Sequence, residues 1–375
     1  MLLTNLKGPP VNIDLLKRLC ETPGVPGRED RVRALIEKEI KGLFDEVETD
    51  AMGSLICRRY PRAAKRGAKK KTGRAAKAKR VEGATKVMLL CHMDEIGFYV
   101  SSIDDRGFLW INAAGGFDTR NLFSRRVLVC TDAGDLKGVM NPGGRPVHIA
   151  SAEDRKKVPE VKEFFVDIGL GARDVKKRVQ IGDYIVMDEP LVEMGDKVVS
   201  KALDNRVACW LGIESVRKLE KSGTGNACEV VVAFTTQEEV GLRGAKTASY
   251  AVRPDIGFGI DVTLACDTPG VPDSEKVTAQ GEGFALHIKD GSFISDAELV
   301  REVETLAKRK KIPYQRSILG AGGQDGAAAQ QAAAGAKAVG VTVGTRYIHT
   351  VTEMLHKRDL GAACDVLAAY MGAKK

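Results

Sequence analysis

The sequence predicts an α/β protein: a mostly parallel central sheet flanked by helices, with a small β-rich domain inserted into it. Three observations carry that expectation. Short continuous apolar runs at Val87–Leu90, Val230–Phe234, Ile256–Ile260 and Ala338–Val343 suit strands covered on both faces, because a strand with one wet face would alternate instead. Helical segments at 205–220, 244–252 and 295–310 separate several of these runs, which is α/β order. Between about 101 and 198 the chain changes character, with Gly, Asp and short β-like pieces at close intervals.

Taken in order, Pro23-Gly24-Val25-Pro26-Gly27 reads as a turn, and after it Val32, Leu35, Ile36, Ile40 and Leu43 recur at helical spacing. Residues 61–80, PRAAKRGAKKKTGRAAKAKR, hold ten Lys or Arg and no acid. A charge block so poor in apolar residues cannot offset the entropy cost of ordering, so a mobile, solvated loop is expected, with docking onto a polyanion such as RNA as the second reading. The β-like pieces Phe108–Ile111, Arg126–Cys130, Lys137–Met140, Glu163–Val166 and Asp183–Val186 mark the inserted domain, assigned to 101–198. Residues 1–100 and 199–375 then form the host unit.

Composition narrows the function classes. The 375 residues are 43% hydrophobic and 29% charged, which excludes a disordered chain, a collagen-like repeat or a disulfide-built mini-protein. No apolar run approaches the roughly 20 residues of a membrane helix. The first ten residues show no basic region followed by an apolar stretch, so export is not expected and a cytoplasmic location is. The eight cysteines are scattered without a CxxC pair, and buried free thiols are their simplest reading. The net charge of +8 comes from 61–80; outside that segment acids outnumber bases by two, so no basic domain face is implied.

The chemistry lies where the apolar runs end. Val87–Leu90 leads into His92, Met93, Asp94; Val230–Phe234 leads into Glu238 and Glu239; Ile256–Ile260 runs into Asp261; Ala338–Val343 leads to His349. Ligands in open α/β sheets bind at the carboxyl ends of strands. Four such ends delivering His, Glu-Glu, Asp and His make a ligand list for hard-to-borderline divalent metals. Asp204, in Ala202-Leu203-Asp204-Asn205-Arg206, is a fifth candidate, although an acid before a helix also reads as an N-cap. In the H-x-D pair, residues i and i+2 of an extended segment share a side, so Asp94 is expected to reach the second ring nitrogen of His92 and hold its tautomer. Glu238 and Glu239 point different ways, which suits one as ligand and its neighbour as the base of a metal-assisted hydrolysis.

With these motifs in place, the chain resembles the tetrahedral (TET) aminopeptidases, also known as glutamyl aminopeptidases or endoglucanase-M-like proteins, within the co-catalytic dimetal exopeptidases. The resemblance spans nearly the whole chain: the Pro23–Asp30 stretch, HMDEIGF at 92–98, ALDNR at 202–206, QEEVGLRGA at 237–245, IDVTLACDTPG at 260–270, GGQDG at 322–326 and RYIHT at 346–350. It implies that His92 and Asp261 bind one metal, Glu239 and His349 another, and Asp204 both. It further implies that Glu238 is the general base, that Asp94 orients His92, and that the two divalent ions, zinc or cobalt, hold a hydroxide between them. The implied activity is removal of N-terminal residues from short peptides. The inserted domain would be PDZ-like and a dimerisation element, in a homo-oligomer that is a tetrahedral dodecamer.

The chain departs from the family pattern at Gln324, where Thr is usual, at Ser54, where Asn is usual, and in the added basic run 61–80. His148, His287 and His356 lie outside the motifs and read as structural or surface residues, and Arg346 as either a substrate contact or an ion-pair partner. The competing functions are a deacylase or carboxypeptidase-like dimetal hydrolase, hydrolysis of a glycosidic bond, and a non-enzymatic polyanion-binding relative. The step of 112 positions from His92 to Asp204 disfavours the first, whose relatives keep that gap short. Glycosidases normally work with two carboxylates and no dimetal centre, which disfavours the second. A complete set of ligands and base disfavours the third.

Overall fold

The computed structural model of the chain describes residues 11–64 and 78–374. Four parallel strands form the middle of its large sheet, in the order Glu229–Thr235, Lys86–His92, Ile256–Leu264, Lys337–Arg346. Each contains one of the continuous apolar runs, and the side chains divide between two faces with a period of two. Val87, Leu89 and Cys91 enter a core with Val230, Val232 and Phe234, whereas Met88 and Leu90 face the opposite side with Val231 and Ala233. On the first face lie the helices Leu203–Ser222 and Lys357–Ala373; on the second, Arg243–Val252 and Gly326–Gln330 bring small residues, Ala245, Ala248, Ala328 and Ala329. Each fully buried Val or Leu in these layers contributes roughly 1.5–3 kcal/mol of transfer free energy.

Outside this centre the pairings are antiparallel except for Tyr314–Ile318, which lies parallel to Phe284–Lys289, so the sheet is mixed rather than mostly parallel. Leu55–Arg59 and then Glu46–Thr49 extend one side. On the other, Lys337–Arg346 pairs with both Phe284–Lys289 and Glu353–His356, and the latter continues through Lys197–Ser200 to Val192–Met194. The apolar runs could not announce the two outermost strands. Glu46–Thr49 and Val192–Met194 are exposed at every residue, so burial imprinted no hydrophobic pattern on them.

Six antiparallel strands close a separate barrel in the order Gly97–Ile103, Leu109–Ala114, Phe164–Asp167, Gly134–Pro142, Arg125–Thr131, Tyr184–Met187. Phe98, Val100, Ile111, Val127, Phe164 and Ile185 fill it. Its strands run from Gly97 to Met187 rather than over 101–198. The hairpin at 192–200 has the local look of the barrel strands but pairs with the large sheet, a long-range choice that local composition does not encode.

Within the basic segment, 65–77 lie outside the described residues, and the readings placed on that run fall there. Its described flanks converge on one carboxylate: Asp45 Oδ1 pairs with Arg62 Nη2 at 2.7 Å and accepts from Ala78 N at 3.3 Å. All eight cysteines are free, seven of them buried and Cys266 half-buried. Among the described residues, no helix is long and apolar enough to cross a membrane.

Candidate metal centre

Because the four central strands are parallel, their carboxyl ends meet along one edge of the sheet. His92 is the last residue of its strand, and Glu238 and Glu239 follow the neighbouring one by three and four residues. Asp261 lies within its strand, which continues to Leu264. His349 follows Lys337–Arg346 on a short turn in which Tyr347 and His349 adopt positive φ.

Asp204 joins this edge from the start of the helix Leu203–Ser222, and the capping role falls to its neighbour. Asn205 Oδ1 accepts from Ala208 N at 3.0 Å, and its Nδ2 donates at 2.9 Å to the carbonyl of Ile260, the residue before Asp261. The Asp204 carboxylate is thereby left for the site. Arg206, fully buried, donates to the carbonyls of Leu19, Thr22 and Gly24 and pairs with Glu95, which also takes Lys201 Nζ at 2.6 Å. The ALDNR stretch thus supplies one ligand candidate, one cap and one anchor for the N-terminal turn.

All seven candidate residues meet. Asp204 Oδ1 stands 3.3 Å from His92 Nε2 and Oδ2 3.4 Å from His349 Nε2. His349 Nε2 is 3.4 Å from Glu239 Oε2, and Glu238 Oε2 is 3.8 Å from His92 Nε2. Donor atoms of His92, Asp204 and Asp261 lie within 4.8 Å of one another, and so do those of Asp204, Glu239 and His349. A third overlapping group joins His92 to Glu238 and Glu239. His349 is the most solvent-accessible member, its side chain 33% exposed against 1% for His92, so the cluster opens on the His349 side.

Asp94 occupies a place the H-x-D spacing did not specify. The partner nearest His92 Nδ1 is the backbone carbonyl of Asp94, at 3.1 Å, with the Asp94 carboxylate at 3.5 Å. That carboxylate instead accepts from the backbone N–H groups of Glu238 and Glu239, both at 3.1 Å.

Electrostatics explain what the cluster wants. Burial pushes the Glu238, Glu239 and Asp261 carboxyls well above the usual range, and neighbouring carboxylates (Asp261 for Glu238, Asp204 for the other two) push further. Burial works in the same direction on Asp204, but His349 and His92 outweigh it and hold that carboxyl low. For His92, burial opposes the charged ring, while Glu238, Asp204 and Asp94 together raise its pKa well above the ordinary value. Four buried acids facing two imidazoles leave an excess of negative charge that a cation would neutralise, and Glu239 Oε1 is buried without a hydrogen-bond partner. Imidazole nitrogens and carboxylate oxygens in two groups sharing Asp204 fit divalent cations.

Three acids escaped the sequence reading. Glu353 is buried, accepts from Asp204 N at 3.0 Å and His349 N at 2.8 Å, and is pushed up to about 8 by burial and Asp204. Asp325 accepts from Thr235 Oγ1 and is pushed up to about 6 by burial. Glu29 receives the N–H of Gln237 at 3.0 Å. None sits at the end of an apolar run, so the pattern that found the others could not find these. Gln324 is buried over Gly259 and Gly340, with Nε2 donating to Asp290 at 3.2 Å. Arg346 makes a two-bond pair with Asp267 at 2.8 and 2.6 Å. His287 is buried between Ser317 and Asp290, His356 accepts from Arg358 N at a helix start, and His148 is exposed.

The sequence matches the M42 glutamyl aminopeptidase family over residues 73–366. An aminopeptidase from the archaeon Desulfurococcus kamchatkensis superposes with a TM-score of 0.86 at 33% identity, covering 96% of this chain and 94% of that one. A TET aminopeptidase from a marine-sediment Thaumarchaeota archaeon gives 0.87 at 30% identity, over 96% of each chain. A Pyrococcus horikoshii TET1 peptidase, which can assemble into a tetrahedron or a large octahedral shell, gives 0.81 at 30% identity, over 96% of this chain and 98% of that one.

Proposed function

The chain belongs to the M42 glutamyl aminopeptidase family and is an aminopeptidase; from that premise we propose that it is metal-dependent and removes N-terminal residues from short peptides, with Glu238 as general base. The observation that carries this reading is Asp204, which turns one carboxylate oxygen toward each of two histidines. His92, Asp204 and Asp261 would hold one divalent ion, and Asp204, Glu239 and His349 a second, with zinc or cobalt suited to the donor set. Bound there, such ions supply a water acidic enough to lose its proton near neutral pH and polarisation of the scissile carbonyl.

The protein's own groups do the rest. Glu238 lies beside His92 but outside the two ligand groups that share Asp204, placed to take a proton from water and return it to the leaving amine. The Asp94 backbone carbonyl fixes the tautomer of His92 through Nδ1, which leaves Nε2 for the ion. Glu353 ties the backbones of Asp204 and His349 together, so the two candidate sites hold a common frame. Burial of all but the His349 edge limits competing water.

The reading extends to a cytoplasmic homo-oligomer, a tetrahedral dodecamer in which the 97–187 barrel acts as a PDZ-like dimerisation element. The assembly of the related Pyrococcus horikoshii peptidase supports it. The test is metal analysis of Glu238→Gln together with turnover on a panel of aminoacyl p-nitroanilides. Metal content should stay near wild type while kcat falls about 10²- to 10⁴-fold, the usual worth of a general base. Near-wild-type turnover in this variant would remove Glu238 from the role.

A further inference from the structure

The Gln237–Glu239 loop presents three consecutive backbone N–H groups, and each meets a buried carboxylate oxygen. Gln237 N donates to Glu29 Oε1 at 3.0 Å, Glu238 N to Asp94 Oδ1 at 3.1 Å and Glu239 N to Asp94 Oδ2 at 3.1 Å. Gln237 has φ of 55°, in the left-handed region that a non-glycine residue holds only when its surroundings fix it. Glu29 supplies such a constraint. It is 3% exposed, and the same oxygen accepts Gly27 N at 2.8 Å.

The ground under Glu29 is itself tied down. Pro26 O accepts from Tyr99 Oη of the barrel at 2.6 Å, and Gly24 O accepts from Glu95 N at 2.9 Å and Arg206 Nη2 at 3.2 Å. A chain of bonds therefore runs from the barrel and the Asp204 helix, through the 23–29 turn, to the loop carrying Glu238. The geometry points to Glu29 as a positioning residue for Glu238: its carboxylate, by holding Gln237, sets where the next two side chains project. The inference rests on Glu238 being the base.

Two conservative variants of the full chain, supplied with zinc, separate reach from charge. Glu29→Gln keeps an acceptor oxygen at the same reach, whereas Glu29→Asp keeps the charge and draws the oxygens back by about 1.5 Å. Expected are a kcat within about threefold of wild type for Gln and a loss of about 10- to 100-fold for Asp, with KM and metal content unchanged. In the metal-free protein, amide exchange across 236–240 should quicken in the Asp variant alone. Wild-type kcat and exchange in Glu29→Asp, or a Gln variant that falls as far as Asp, would overturn the assignment. In a Glu238→Gln background, Glu29→Asp should cost less than about twofold further, since the two act as a unit. Full turnover in Glu238→Gln alone would instead overturn the base, and the exchange result would still decide whether Glu29 places the loop.

Discussion

Replacing Asp94 by Asn separates two jobs that one residue could hold. Each Asp94 carboxylate oxygen accepts one backbone N–H, from Glu238 and from Glu239, while His92 Nδ1 is met at 3.1 Å by the Asp94 main-chain carbonyl, which the substitution leaves in place. Asn offers one acceptor and turns an NH₂ toward the other N–H. The loss is one hydrogen bond to a charged acceptor, worth about 1.5–3 kcal/mol, together with a buried N–H left facing a donor. If about 2–4 kcal/mol of that total is felt as misplacement of Glu238 in the transition state, kcat falls about 30- to 900-fold, at roughly 1.36 kcal/mol per decade. The assay is kcat and KM on an aminoacyl p-nitroanilide at saturating metal, paired with metal content by mass spectrometry. Metal content should hold, because His92 keeps its support. Loss of metal with unchanged turnover per bound ion would show that the carboxylate works through His92, as the H-x-D spacing suggested. A kcat within threefold of wild type together with full metal content would refute both roles.

Asp204→Ala should empty both proposed ion sites, because the two ligand groups share that residue; one retained equivalent of metal, measured after dialysis, would break the sharing. Away from the site, Asp359 is buried against the Gly281 and Gly283 N–H groups, each donating at 2.7 Å, and burial pushes it up to about 6. A folded pKa above the unfolded value near 3.8 means its contribution is full below about pH 3.8 and is lost as pH rises through about 6, a fall of about 3 kcal/mol. In denaturant titrations between pH 4 and 6, Asp359→Asn should flatten that part of the slope, and an unchanged slope would count against it.

Hydrophobic burial imprinted the central strands on the sequence, and parallel strands put their carboxyl ends together. The positions of His92, Glu238, Glu239, Asp261 and His349 at that edge are therefore legible in the sequence alone. Periodicity is local, and so is the step from a strand end to the residues just beyond it. Antiparallel flanks such as Glu46–Thr49 left no such trace, because an exposed strand needs no apolar face. Where the sequence left Asp204 open between helix cap and ligand candidate, the cap bond falls to Asn205, whose side chain reaches Ala208 and Ile260, a contact 55 residues away in the chain. Likewise Asp94, two residues from His92, spends its carboxylate on a loop 144 and 145 residues distant, where Glu29 waits from 208 residues away. Sequence by itself determined which chemical groups stand at the sheet's edge, since chain order and burial fix that. Only the tertiary structure decided which acid serves which partner, because a buried N–H takes whichever carboxylate the packing brings within reach.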